Sequence, residues 1–131
     1  MDRIAKPVIA VVDDDWRVRE SLASLIESAG FTARVFPLAK DFLRDDFLRG
    51  TSCFITDVRI PEMDGLDLQR CVRLERPDLP VIIITGHNDD EVERSAFAQG
   101  AAFFIRKPFD AEELFRAVKI ALSEASGDHG P

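Results

Sequence analysis

Apolar residues gather along the chain into five short runs, at 8–12, 32–36, 52–56, 81–84 and 102–105, each closed by polar or turn-forming residues. The runs are almost continuously apolar and rich in Val, Ile and Phe. Strands buried on both faces of a parallel sheet carry that pattern, whereas a half-solvated strand alternates. Between the runs, apolar positions return at helical spacing, most clearly in Val18, Leu22, Leu25 and Ile26 and again in Leu114, Ala117, Val118, Ala121 and Leu122. The spacing predicts helices over about 15–29, 38–49, 65–75, 89–99 and 110–124. Gly30, Gly50 and Gly100 stand just past three of them, where a left-handed cap suits glycine. The pattern predicts an α/β fold, a doubly wound (βα)5 arrangement with an open five-stranded parallel sheet and helices on both faces. One domain over 1–125 is expected, followed by a flexible tail at 126–131.

Composition narrows the function classes. With 131 residues, 46% hydrophobic and 31% charged, the chain suits one packed domain and not a disordered segment. Its 24 acidic against 17 basic residues give a net charge of −7, which argues against binding nucleic acid or an anionic membrane. Cys53 and Cys71 sit in apolar stretches and read as packing residues, so neither a disulfide framework nor a CxxC metal site is expected. The apolar run before Asp13 is too short for a signal-peptide core or a membrane span, and a cytoplasmic location is expected.

In an open parallel sheet the functional crevice lies beyond the carboxyl ends of the strands. The residues placed there are Asp13, Asp14 and Asp15 after the first strand, Asp57 after the third, Thr85 and Gly86 after the fourth, and Arg106, Lys107 and Pro108 after the fifth. Carboxylates crowded at one edge stay ionised together when a cation sits among them, and Mg2+ suits a few carboxylates with positions left for water and phosphate oxygens. Asp15, opening the first helix, reads better as an N-cap than as a ligand. Asp57 is the candidate nucleophile for an aspartyl phosphate, with Thr85 to donate to a phosphoryl oxygen and Lys107 to neutralise its charge.

Four ordered motifs, VVDDD at 11–15, TDVRIPEMDG at 56–65, IITGHND at 83–89 and FIRKPF at 104–109, resemble the receiver domain of two-component response regulators, the CheY-like (flavodoxin-like) fold. The last three are worded most like FixJ-type receivers. The resemblance implies strand order 2-1-3-4-5 and Asp57 as phosphoacceptor. Mg2+ would be held by Asp14, Asp57 and the main-chain carbonyl of Arg59, with Asp13 acting through a water. Thr85 and Phe104 would be the switch pair, Lys107 would bind the phosphate, and the Lys107–Pro108 bond would be cis. The implied partner is a sensor histidine kinase or a histidine phosphotransfer protein. Phosphorylation would alter the surface of the fourth helix, fifth strand and fifth helix. That surface, or one made by the first and fifth helices, would carry any homodimer. The domain would be a phosphoacceptor with self-catalysed phosphotransfer and autodephosphorylation, not an enzyme in the ordinary sense.

Two outputs stay open: a stand-alone regulator or relay component, and the receiver of a FixJ-type DNA-binding transcription regulator. A haloacid-dehalogenase-like phosphatase with Asp13 as nucleophile is the rival reading, but it leaves Asp57 without a task. No phosphate-binding loop of the GxxxxGK[ST] or GxGxxG kind follows a strand. At the rim, Arg59 and His87 are expected to tune dephosphorylation. Trp16 reads as half packed in preference to a kinase-docking anchor, and Phe115 and Ile120 fall off the apolar stripe of the last helix.

Overall fold

Side chains of successive strand residues point to opposite faces, so continuously apolar strands need two covers. The computed structural model, which describes residues 6–60, 62–86 and 90–125, supplies them. Its elements run β1 Val8–Val12, α1 Trp16–Ser28, β2 Thr32–Phe36, α2 Ala39–Phe42, α3 Asp45–Arg49, β3 Cys53–Asp57, α4 Gly65–Glu75, β4 Val81–Thr85, α5 Asp90–Ala98, β5 Phe103–Arg106 and α6 Ala111–Ala125. All strands pair in parallel in the order β2-β1-β3-β4-β5. On one face Ala10, Val12, Phe54 and Ile83 pack with Phe42, Leu68, Val72 and Ala96 of α2, α4 and α5. On the other, Ile9, Val11, Ile55, Ile82 and Ile84 pack with Leu22 and Ile26 of α1 and Leu114, Ala117 and Val118 of α6. Each large side chain buried this way contributes about 1.5–3 kcal/mol. Among the described residues no helix is long and apolar enough to cross a membrane.

Three expectations need correction. The helix expected over 38–49 is broken, with Leu43 and Arg44 between α2 and α3 and Arg44 extended at φ −67°, ψ 139°. Residues five apart in a continuous helix lie about 140° apart around its axis. Phe42 and Phe47 could not then both flank Phe36, yet their ring centroids lie 5.6 and 5.2 Å from it. Packing three rings together outweighs the last turns of one helix. Gly30 and Gly100 take the left-handed conformation at φ +95°. Gly50 does not, at φ −88°, and its N–H donates back to the Leu48 carbonyl before Thr51 and Ser52 lead into β3. Trp16 is 60% exposed, not half packed.

The lower edge of the sheet is held by Arg76, just past α4. Its Nη1 donates to the carbonyls of Leu48 (2.9 Å), Thr51 (3.1 Å) and Arg49 (3.3 Å), while Nε and Nη2 hold Asp78. That hydrogen bond from Arg76 holds the Asp78 carboxyl below its usual range. Replacing Arg76 with Ala strands carbonyls at the entry to β3, and we expect a loss of about 2–3 kcal/mol in urea unfolding. Asp78→Asn, which alters a largely exposed partner, should cost well under 1 kcal/mol.

Candidate functional site

The site begins where β1 ends. Asp13 continues the ladder by donating its N–H to the Phe36 carbonyl (3.1 Å). Its own carbonyl accepts from Arg19 Nη1 of α1 (2.9 Å), and its Oδ1 accepts from the Asp15 N–H (2.9 Å). Asp15 caps α1, accepting from the Arg17 N–H at 2.9 Å. Between them Asp14 is exposed and lines an open cleft of about 590 Å3 with Val58, Arg59, Ile60, Asp64, Leu66 and Val92.

Asp57 is the last residue of β3 and lies opposite Ile84 of β4. Its Oδ1 accepts a 3.3 Å bond from the Arg59 N–H, and its Oδ2 accepts from Lys107 Nζ at 2.9 Å. The same ammonium stands 3.4 Å from Asp13 Oδ2. Lys107 reaches this place because it follows β5, its N–H bonded to the Thr85 carbonyl (2.8 Å), and its peptide bond to Pro108 is cis. Thr85 is the buried last residue of β4. Both Asp57 and Thr85 thus close their strands instead of following them, since their backbones still complete the ladder. Phe104 lies in β5, half-buried, with its ring centroid 6.4 Å from that of Phe97 on α5.

Asp13 is 2% exposed, and burial, only partly offset by the Asp15 N–H and by Lys107, raises its pKa above the usual carboxylate value. Burial works to lower Lys107, but the hydrogen bond and charge of Asp57, and then Asp13, outweigh it and hold the ammonium above its ordinary pKa. The Lys107 contribution to stability is therefore present below the ordinary lysine pKa and lost as pH rises through the elevated one. In metal-free Lys107→Ala we expect a loss of about 1–3 kcal/mol at neutral pH, less than for a fully buried pair because the side chains keep some solvent contact. Two carboxylates would then face each other uncompensated, so the deficit should shrink as pH falls and Asp13, whose burial already favours its neutral form, takes up a proton. Urea unfolding across pH checks both statements.

Of the residues expected at the site, the structure brings Asp13, Asp57 and Lys107 together, the Lys107 ammonium reaching both carboxylates. Asp14 shares their edge, Thr85 ends the next strand, and Arg59 lies exposed on the rim. His87 and the tail at 126–131 lie outside the described residues. Among the described residues no three acidic, His or Cys side chains are gathered into a metal-ligating cluster. Asp14 and Arg59 nevertheless line the open cleft, and Mg2+ keeps several waters, so it does not require an all-protein cage.

A family model for the response regulator receiver domain matches residues 9–119. The chain belongs to that family. This receiver is 42% identical over 118 residues to the response regulator protein TodT of Pseudomonas putida, an alignment covering 90% of this chain and 52% of that protein. It is 38% identical over 119 residues to the transcriptional regulatory protein FixJ of Bradyrhizobium diazoefficiens, covering 89% and 57%. A receiver domain structure from Clostridium thermocellum superposes with a TM-score of 0.87 at 28% identity, over 92% of this receiver and 97% of that chain. The receiver spans about half the length of the curated relatives it matches.

Two supports of the site escaped the sequence reading. Asp64 caps α4, its Oδ1 accepting from Leu66 and Asp67 N–H groups at 2.9 and 3.0 Å. An Asp before an apolar-periodic stretch is a readable N-cap signal. Gly65, next to it, donates its N–H to the Val58 carbonyl at 2.7 Å and so docks the helix on the loop beginning at Asp57. No local signal announces that contact.

Proposed function

We propose that the receiver accepts a phosphoryl group on Asp57 from a phosphohistidine of a sensor histidine kinase or histidine phosphotransfer protein. What supports the reading most is Lys107, whose ammonium faces Asp57 and Asp13 together at the carboxyl edge of the sheet. An Asp57 oxygen attacks phosphorus, the P–N bond to the donor breaks, and its electron pair leaves with the imidazole, giving a mixed anhydride at Asp57. Charge grows where Lys107 already stands, so the ammonium would exchange carboxylate for phosphoryl oxygen without moving far. The Thr85 hydroxyl would donate to another phosphoryl oxygen, and Phe104 would follow it.

Asp14, Asp57 and the Arg59 carbonyl would hold Mg2+, with Asp13 acting through a water. The ion supplies charge neutralisation between the carboxylates and the incoming phosphoryl group. The phosphoryl group adds nearly two negative charges, enough to bias a two-state surface formed by α5, β5 and α6. That surface, or the α1–α6 face, would serve a homodimer; Phe97 of α5 and Ile120 of α6 are both exposed. The acidic chain fits a cytoplasmic protein that does not itself bind nucleic acid.

Output follows as contact with another protein or as a step in a relay. A second reading, the receiver of a FixJ-type DNA-binding regulator, is favoured by the similarity to TodT and FixJ, both longer proteins. The acceptor reading is tested by incubating the chain with a small acyl phosphate donor. Phosphoryl incorporation should reach one per chain in Mg2+ and fall to background with chelator. Incorporation indifferent to chelator would refute the metal assignment.

A further inference from the structure

Helix α5 is fastened differently at its two ends. At the C-terminal end, buried Gln69 of α4 donates Nε2 to the Ala96 carbonyl (3.1 Å), and Arg70 donates Nη1 to Gln99 Oε1 (3.3 Å). Among the described residues Gln69 Oε1 is buried with no partner, and the Ala96 carbonyl already accepts from the Gln99 and Ala101 N–H groups. Gln69 therefore adds little net stability, but it does fix that end of α5 to α4. At the N-terminal end the tie comes from the sheet. Arg106 of β5 donates Nη2 to Glu93 Oε1 at 2.5 Å and to Asp90 Oδ1 at 3.3 Å, both on α5. Its guanidinium carbon also lies 5.3 Å from the Phe104 ring centroid. Phe104 and Arg106, two apart in a strand, share the face that α5 covers.

We infer that Arg106 is a positioning residue that holds α5 and Phe104 in the unphosphorylated arrangement and so sets how readily the site takes a phosphoryl group. The inference rests on Asp57 as phosphoacceptor. Arg106 lies opposite Thr85 in the β4–β5 ladder and immediately precedes Lys107, so it adjoins both groups that would respond to a phosphoryl group. A planar fork bridging two acids while stacked on a ring is a geometry that Arg supplies and Lys does not. The Asp90 carboxylate is mostly exposed and adds little, whereas the Glu93 arm and the ring contact are partly sheltered. Whatever stabilises the unphosphorylated arrangement must, by linkage, weaken phosphoryl binding by the same factor.

The test titrates wild type, Arg106→Gln and Arg106→Lys with beryllofluoride, a phosphoryl analogue, in Mg2+ by calorimetry. Amide exchange along α5 is measured in parallel without analogue. Arg106→Gln should bind the analogue about 5-fold more tightly than wild type, with Arg106→Lys between them. Exchange should quicken at 90–94 while 96–98 stays protected. Raising salt should narrow the difference, because the latch is an ion pair open to screening. A merely structural arginine would not tighten binding when lost. Unchanged or weaker binding by Arg106→Gln, with wild type binding normally, overturns the latch and leaves the acceptor reading standing. Failure of wild type to bind the analogue overturns both.

Discussion

Asp57→Asn should reduce phosphoryl incorporation from a small acyl phosphate donor to background while leaving the domain folded. The amide is no nucleophile under these conditions, so the loss is chemical and not a matter of degree. Stability should stay within about 1 kcal/mol of the parent: the amide's one oxygen can still accept from Lys107, while its NH2 replaces the oxygen that accepted the long 3.3 Å bond from the Arg59 N–H. Removing one of two carboxylates that share an ammonium also relieves their repulsion. Asp13→Asn is the informative companion. It deletes a buried acid that the local geometry treats as a fixed group, so incorporation should fall without vanishing. Radiolabel incorporation beside urea unfolding of both variants separates the roles, and the opposite ranking would favour Asp13 as the nucleophile.

The other large effect is expected at Gly65, where the constraint is steric. A Cβ there would lie 2.2 Å from the Asp57 carbonyl oxygen and 2.9 Å from Val58 Cα, and both are backbone atoms. No rotamer change relieves such contacts, so Gly65→Ala must push the start of α4 away from the end of β3. The 2.7 Å bond from the Gly65 N–H to the Val58 carbonyl would go with it. We expect a loss of about 3 kcal/mol or more, with phosphoryl acceptance falling as the Asp57 loop shifts. A variant within about 0.5 kcal/mol of wild type in urea unfolding would show that the helix is not seated as described.

What the sequence made legible and what it hid divide along physical lines. The five strands were readable because burial on both faces leaves an unbroken apolar run, and the acids, Thr85 and Lys107 because they follow such runs at one edge. Asp57 and Thr85 proved to belong to their strands because ladder hydrogen bonds, invisible in composition, decide the last residue. The break at Leu43 and Arg44 depends on three phenylalanine rings meeting across 11 residues. Local periodicity carries no trace of it. Arg76, Gly65 and Arg106 act through partners on other elements: carbonyls of the α3–β3 turn, the backbone after β3, and acids on α5. Residue type alone names none of these partners.

The central claim is that the phosphoryl group resides on Asp57, and mapping the modified residue tests it most directly. The wild-type chain is phosphorylated with a small acyl phosphate donor in Mg2+, reduced with borohydride to convert an aspartyl phosphate to homoserine, and sequenced by mass spectrometry. The account predicts homoserine at position 57 alone. Homoserine at position 13, or no conversion in a chain that has taken up phosphate, would contradict it.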